Sequence, residues 1–192
     1  AQIVVDEGVA RPTLIGRPAV IAKRVDKFGL RLKEGLDYDV VNVELDPRYR
    51  DFWQTYHRMT ERKGITVPMA KIEMRRRLAL IGAMLLHKGE VDGLIAGTWG
   101  HTALHLNYID QVIGKRAGVG TYACMNGLML PDRQVFLVDT HVNYDPTAEQ
   151  LAEITIMAAE EMMRFGIKPK AALLSHSNFG SSNQPSAIKM RQ

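Results

Sequence analysis

Short apolar segments alternate with longer segments of helical periodicity along almost the whole chain. The short segments, at residues 13–15, 38–43, 94–96 and 171–174, are rich in β-branched or aliphatic residues and are predicted to be strands. Most are followed by a segment in which apolar residues recur every three or four positions, which is typical of an amphipathic helix. Strands that alternate with helices form right-handed βαβ units. The pattern therefore predicts an α/β fold of three αβα layers, with a mainly parallel sheet.

Glycine and proline mark the ends of the predicted helices. Asp46-Pro47 and Asp145-Pro146 each place a capping side chain before a proline in the first turn. The helix after Asp46 is predicted to end at Gly64, and one continuous helix is predicted over residues 66–88. The other helices are predicted over residues 1–9, 17–29, 102–113 and 147–165 and from residue 186 onward. Residues 121–130 and 135–138 are predicted to form a hairpin.

The composition is that of a globular domain in a reducing compartment. Of the 192 residues, 46% are hydrophobic and 24% charged, which excludes a disordered chain. The single cysteine, Cys124, excludes a disulfide framework and favours a cytoplasmic location. The longest apolar run, residues 78–86, is far shorter than the ~20 residues that a membrane-spanning helix needs, so we expect no membrane contact. The chain begins within a predicted helix, which indicates part of a larger domain.

The positive charge is concentrated in the first 80 residues. They contain 16 basic and 11 acidic residues, a net of +5 in a chain whose total is +4. The densest cluster is Lys71, Arg75, Arg76 and Arg77, which is either a solvated helix face or a binding surface for an anionic partner. Aromatic residues are not interleaved with this cluster, and no nucleic-acid-binding motif occurs, so we expect no nucleic-acid partner.

Two loops that follow predicted strands have compositions suited to ligand binding. Residues 97–102 (Gly-Thr-Trp-Gly-His-Thr) lead into a helix whose N-terminal amides could bind an anion, although the loop matches neither G-x-x-x-x-G-K-[ST] nor G-x-G-x-x-G. Residues 175–183 carry hydroxyl, amide and small side chains between a strand and a helix, a composition suited to phosphate or carbonyl oxygens. An ordinary tight turn and a polar surface loop remain the alternatives.

Neither a metal site nor a catalytic set stands out. Asp139 and His141 have an Asp-x-His spacing, but Asp145 serves better as a helix cap and no further ligand is evident. His101 and His105 lie four residues apart without the glutamate of an H-E-x-x-H motif. We therefore predict no metal site and no catalytic residue in this segment.

Five further motifs occur, in order, at residues 89–97 (Gly-Glu-Val-Asp-Gly-Leu-Ile-Ala-Gly), 130–132, 145–154, 165–167 and 170–177. Together they resemble the phosphate acetyl/butyryltransferase family, whose members move an acyl group between phosphate and coenzyme A. They keep the family's order and spacing over nearly the whole chain. The resemblance implies two αβα domains with the ligand in the cleft between them, and dimerisation. It also implies that both candidate loops face that cleft.

Two departures from the family pattern affect the expected chemistry. Leu106-Asn107-Tyr108 stands where the transferases have Leu-Arg-Pro, so Asn107 replaces an arginine that contacts the substrate's charge. Ser175-His176-Ser177-Asn178 stands where they have Ser-Tyr-Ser-Thr. The family's catalytic Ser-Arg-Asp cluster belongs to a segment that would follow Gln192. By this resemblance, residues 1–192 are a partial transferase-like domain that lacks its first strand and its C-terminal third.

The loop at residues 177–182 is most similar to the transferase-like domain at the C-terminus of bacterial NADP-dependent malic enzymes. That resemblance implies an acetyl-CoA-sensing regulatory domain in a homo-oligomer, which is joined to an N-terminal part that converts malate to pyruvate and CO2 with NADP and a divalent metal. The alternatives are an active phosphate acetyltransferase and a domain that only supports oligomerisation. The expected contacts to acetyl-CoA or coenzyme A are Thr98, His101, Thr102, Asn107, Ser175, Ser177, Asn178, Gly180, Ser181 and Ser182.

Overall fold

A computed structural model describes the backbone of residues 1–192 and the side chains of all of them except Phe179. The chain divides into two compact units, Ala1–Gly114 and Lys115–Gln192, and each is described separately. Among the described residues, no helix is both long enough and apolar enough to cross a bilayer.

The first unit consists mainly of helices beside a small parallel sheet. Strands β1 and β2 pair in parallel, with Leu14 opposite Val40. This pairing confirms the strands predicted near residues 13–15 and 38–43. The elements are α1 (Gln2–Asp6), β1 (Thr13–Ile15), α2 (Pro18–Lys27), β2 (Asp39–Val41), α3 (Tyr49–Thr60), a 3₁₀ turn (Glu61–Lys63), α4 (Val67–Arg76), α5 (Leu78–His87) and α6 (Thr102–Val112).

Helix α5 is the centre of the first unit's core. Every residue from Ala79 to Leu85 is buried, because the helix is apolar on all sides. It packs against α3, α4 and α6. The residues that these three helices contribute to the core include Phe52, Tyr56, Ala70, Met74, Tyr108 and Val112.

The continuous helix predicted over residues 66–88 is wrong. Arg77 has extended backbone angles (φ −113°, ψ 96°), so α4 ends at Arg76 and α5 begins at Leu78. The reason is tertiary packing. Helix α4 buries only one face, through Ala70 and Met74, whereas α5 must be enclosed on all sides. Helix propensity is favourable across residues 66–88, and packing overrides it.

The second unit contains a hairpin and two helices. Its elements are β3 (Met125–Met129), β4 (Gln134–Val138), α7 (Ala148–Arg164), a 3₁₀ turn (Asn178–Gly180) and α8 (Pro185–Arg191). Strands β3 and β4 are antiparallel, with Gly127 opposite Phe136, which confirms the predicted hairpin.

The helix caps assigned to Asp46 and Asp145 need correction. Thr147 caps α7 through a capping box with Gln150, in which each side chain accepts a hydrogen bond from the other residue's backbone N–H. Asp145 instead pairs with Lys189. Asp46 accepts the N–H of Arg48 in the turn just before α3. In both cases the proline after the aspartate lies outside the helix, which therefore begins later than the sequence suggested.

Candidate functional site

The first candidate loop is an irregular, exposed segment before α6. Residues 94–96, which were predicted to be a strand, have no ladder partner in the described structure, and Ile95 is fully exposed. An aliphatic sequence favours extended backbone, but a strand also needs a neighbour for its hydrogen bonds. Gly97 and Gly100 have φ values of +118° and +105°, which side-chain-bearing residues rarely adopt.

His105 ties this loop to α6. Its Nε2 lies 2.9 Å from the carbonyl oxygen of Trp99. Because a carbonyl only accepts, Nε2 carries the proton. The buried Nδ1 has no hydrogen-bond partner among the described residues. His105 therefore stabilises the loop, a role that the His101/His105 spacing did not reveal.

The N-terminus of α6 presents uncapped amides beside this loop. His101 is the N-cap residue but makes no side-chain hydrogen bond to the helix, and the first turn holds no acidic residue. Thr98, His101, Thr102 and Asn107 are all exposed. Backbone N–H groups at the start of an 11-residue helix favour an anion or a carbonyl oxygen.

Asn107 and Tyr108, the two departures in α6, have different environments. Asn107 is exposed, and its side-chain oxygen accepts a hydrogen bond from Gln111 at 3.3 Å. Tyr108 is buried, and its hydroxyl donates to Glu73 of α4. Glu73 also accepts the Nε–H of Arg77 at 3.3 Å. Asn107 is thus available to a ligand, whereas Tyr108 holds α6 against α4.

The second candidate loop, in the second unit, is organised by its own hydroxyl groups. The Ser177 hydroxyl accepts the N–H of Ser182 at 2.9 Å, and the Ser175 hydroxyl accepts the N–H of Ser177 at 3.1 Å. Ser181 donates to the carbonyl oxygen of Asn178 at 2.9 Å. The Ser175 hydroxyl also donates to the carbonyl oxygen of Ser177 at 3.4 Å, whereas the Ser177 hydroxyl accepts a bond and keeps its own proton available to donate. The exposed Asn178 amide makes no side-chain hydrogen bond in the described structure.

Residues 171–174, which were predicted to be a strand leading into this loop, have no ladder partner in the described structure. Leu174 is 77% exposed. As at residues 94–96, an extended apolar segment is present without a neighbouring strand. The loop itself is ordered by Gly180, whose φ is +71°, and by the 3₁₀ turn Asn178–Gly180.

Arg191 is a site residue that sequence reasoning missed. From the end of α8, its Nη1 donates to the carbonyl oxygens of Gly180 (2.7 Å) and Ser182 (2.8 Å). His176, within the same loop, has its Nε2 3.2 Å from the Ser182 hydroxyl. The position of Arg191 in the last turn of α8 was the only sequence signal for this role. The backbone carbonyl groups that accept its hydrogen bonds cannot be recognised from the sequence.

We expect Arg191→Met to loosen the second loop. The substitution removes two charge-assisted hydrogen bonds while keeping most of the alkyl chain. Amide hydrogen exchange at Ser182 should accelerate about tenfold, which corresponds to roughly 1.4 kcal/mol of local stability. Lys189→Met is the matched control on α8, because Lys189 pairs with Asp145 instead of the loop. Equal acceleration in both variants would contradict this role for Arg191.

Residues 139–145, which contain the Asp-x-His spacing, use their polar groups in hydrogen bonds and an ion pair within the second unit. Asp139 has a φ of +58°, and its carboxylate accepts the side-chain N–H of Asn143 at 2.8 Å. The same Asn143 amide donates to the carbonyl oxygen of Tyr122. Among the described residues, no group of three or more His, Cys, Asp or Glu is arranged to hold a metal ion.

The candidate contacts therefore form two groups, one in each unit. Thr98, His101 and Thr102 surround the start of α6, with Asn107 further along that helix. The contacts of the second unit all belong to one loop: Ser175, Ser177, Asn178, Gly180, Ser181 and Ser182.

Comparisons with known proteins match this chain along its whole length. The family model described as "Phosphate acetyl/butaryl transferase" matches residues 1–192. The chain is 50% identical over 191 residues to the NADP-dependent malic enzyme of Salmonella typhimurium, a match that covers 100% of this chain and 25% of that protein. It is 32% identical to the phosphate acetyltransferase of Nitratidesulfovibrio vulgaris, over 98% of this chain and 26% of that protein. The chain thus spans about a quarter of these two relatives.

A solved structure supports the predicted fold class. A phosphotransacetylase from Streptococcus pyogenes superimposes with a TM-score of 0.81 at 26% identity, over 98% of this chain and 58% of that one. The α/β fold of the phosphate acetyltransferase type is thereby confirmed.

Proposed function

The chain belongs to the phosphate acetyl/butaryl transferase family, and we propose that it is the acetyl-CoA-sensing domain of a cytoplasmic, NADP-dependent malic enzyme. In this proposal a separate N-terminal part of the same protein oxidises and decarboxylates malate to pyruvate and CO2. NADP and the divalent metal bind to that part. The domain described here binds acetyl-CoA and changes the activity of the other part.

The observation that carries the proposal is the difference in identity between the two kinds of relative. Over essentially the same residues, the chain is 50% identical to a malic enzyme and 32% identical to a phosphate acetyltransferase. A domain that had kept transferase chemistry is expected to resemble the transferases at least as strongly. The exposed Asn107, where the transferases have an arginine, agrees with this interpretation.

The chemistry of the two loops is suited to binding phosphate and carbonyl oxygens. Residues 97–102 and 175–183 contain no Arg, Lys, Asp or Glu. Acyl transfer needs groups that stabilise negative charge as it develops, and charged donors are the strongest of these. The two loops offer neutral donors instead, such as the α6 amides, the Ser177 hydroxyl and the Asn178 amide, which can hold phosphate and carbonyl oxygens.

Exposed apolar side chains in the second unit support a homo-oligomer. They lie on the hairpin and on and just after α7, and exposed apolar side chains are common at subunit interfaces. The residues are Leu128, Met129, Leu130, Ile156, Met163 and Phe165. An oligomer also provides a means of regulation, because acetyl-CoA can shift activity only by binding two conformations with different affinity.

We expect isothermal titration calorimetry of the chain with acetyl-CoA to show saturable binding, and Ser177→Ala and Asn178→Ala each to weaken it about fivefold to tenfold. Each substitution removes a neutral hydrogen-bond donor, which contributes about 1 kcal/mol. Asn183→Ala is the matched control, because Asn183 is exposed in the same segment but is not a predicted contact. An absence of heat with wild-type protein would indicate a domain that only supports oligomerisation. If acetyl-CoA does not change the rate of malate oxidation by the full-length protein, the regulatory role is rejected.

An active phosphate acetyltransferase is the second candidate, and the 32% identity to such an enzyme favours it. Incubation of the full-length protein with acetyl phosphate and coenzyme A distinguishes the two functions. We expect no acetyl-CoA to form. Sustained formation of acetyl-CoA would replace the sensor proposal with the transferase.

A further inference from the structure

A groove between α3 and α4 combines aromatic and basic side chains. Its volume is about 640 Å³, within the range of small-molecule sites. Helix α3 contributes Tyr49, Arg50 and Trp53, and α4 contributes Lys71, Ile72 and Arg75. In the sequence these aromatic residues lie about 20 positions from the basic cluster, and the fold brings the two together. None of the groove residues belongs to either candidate loop.

Two of the three basic groups in the groove, those of Lys71 and Arg75, are held in place by aromatic rings. The Lys71 ammonium lies 4.6 Å from the centre of the Trp53 ring, and the Arg75 guanidinium lies 4.8 Å from that of Tyr49. Both are favourable cation–π distances. The Tyr49 hydroxyl also donates to the carbonyl oxygen of Lys71 at 2.8 Å, which fixes α3 against α4. The charges are therefore positioned before any ligand arrives.

These charges have no acidic partner in the described structure. Arg48, Arg77 and Lys88 pair with nearby carboxylates, whereas Arg50, Lys71 and Arg75 form no ion pair. Lys71 and Arg75 are four residues apart on one helix face, where like charges repel. An anion bound between them would relieve that repulsion.

We propose that this groove binds a small organic diphosphate that carries an aromatic or apolar group. Lys71 and Arg75 lie about 6 Å apart along the helix axis, so each can contact one of two linked phosphates, with Arg50 opposite on α3. Ile72 and the ring edges offer the apolar group a contact surface. The basic lining spans about one helical turn, which suits a small ligand better than nucleic acid, whose binding takes a longer row of phosphate contacts.

The test is a titration of the full chain with ADP, monitored by Trp53 fluorescence. Trp99→Phe removes the other tryptophan, which is exposed in the first candidate loop. We expect saturable fluorescence changes with ADP and pyrophosphate but not with adenosine. Lys71→Gln and Arg75→Gln should each weaken ADP binding about fivefold or more. Arg76→Gln should change it less than about twofold, because Arg76 loses the same charge from α4 but does not line the groove.

Other outcomes would overturn the proposal. If Arg76→Gln weakens ADP binding as much as Lys71→Gln does, the binding depends only on net charge. If Trp53 fluorescence shows no saturable change, the groove does not bind ADP. ADP binding lost with Ser177→Ala but not with Lys71→Gln would place ADP at the second candidate loop. Binding of a polyglutamate peptide that depends on Lys71, with no binding of ADP, would assign the groove to an acidic protein segment. Circular dichroism of each variant verifies that it is folded.

Discussion

Leu80→Ala is expected to lower the free energy of unfolding of the first unit by about 3 kcal/mol. Leu80 is completely buried in α5, the helix that the core of this unit surrounds. The substitution removes three carbon atoms at a site enclosed by α3, α4 and α6, so neighbouring side chains have little freedom to fill the space. Urea unfolding followed by circular dichroism measures the change.

Leu78→Ala is the matched control for this prediction. Leu78 lies two residues earlier in the same helix and is 49% exposed, so its truncation creates no enclosed cavity. We expect a loss of less than about 1 kcal/mol for Leu78→Ala. Similar losses in both variants would mean that α5 is not enclosed as described.

The sequence correctly predicted those parts of the fold that depend on local residue patterns and not on contacts between distant segments. Apolar periodicity identified residues 66–88 as helical, although as one helix instead of two, and the flanking glycines identified most helix ends. The break at Arg77 was not predictable, because it follows from how α4 and α5 pack rather than from their propensities. The segments 94–96 and 171–174 show the same limit. Their composition favours strands, but no hydrogen-bonded neighbour completes a ladder in the described structure.

The candidate loops were predictable for a similar reason. Glycines, hydroxyls and amides concentrate in 97–102 and 175–183, so composition alone identified them. The side chains that order these loops were missed. His105 and Arg191 bond to backbone carbonyl oxygens of Trp99, Gly180 and Ser182, and such acceptors exist in every residue.

The departures at Asn107 and Tyr108 show how the structure refines a sequence comparison. Both residues replace the transferase pattern, and both could be taken as changes in the binding site. Only Asn107 is exposed. The buried Tyr108 instead donates a hydrogen bond to Glu73, so the change at that position links α6 to α4. Adjacent residues of a helix point about 100° apart, so the change at Asn107 is exposed to solvent while the change at the next residue is buried.

The buried tyrosines Tyr56 and Tyr108 lead to the second large expected effect, a loss of stability at high pH. Burial, reinforced by the negative charge of Glu73, raises the pKa of Tyr56 from 10.0 to about 12. Burial, and then the hydrogen bond to Glu73, raise the pKa of Tyr108 as well. Above pH 10 the unfolded chain releases these protons while the folded chain retains them. The unfolded state therefore binds fewer protons, and the free energy of unfolding falls as the pH rises.

Between pH 10 and pH 12 we expect a fall of about 2 kcal/mol from Tyr56, with a limiting slope of about 1.4 kcal/mol per pH unit, and a further fall in the same direction from Tyr108. Urea unfolding at stepped pH measures this slope. Tyr56→Phe should cost about 1 kcal/mol at pH 8, because the 2.6 Å hydrogen bond to Gln111 is lost, yet it should make the alkaline slope shallower. Tyr144→Phe, at a fully exposed position, should change neither. A wild-type stability that stays constant up to pH 12, or a Tyr56→Phe slope as steep as that of the wild type, would show that ionisation of Tyr56 is not coupled to unfolding.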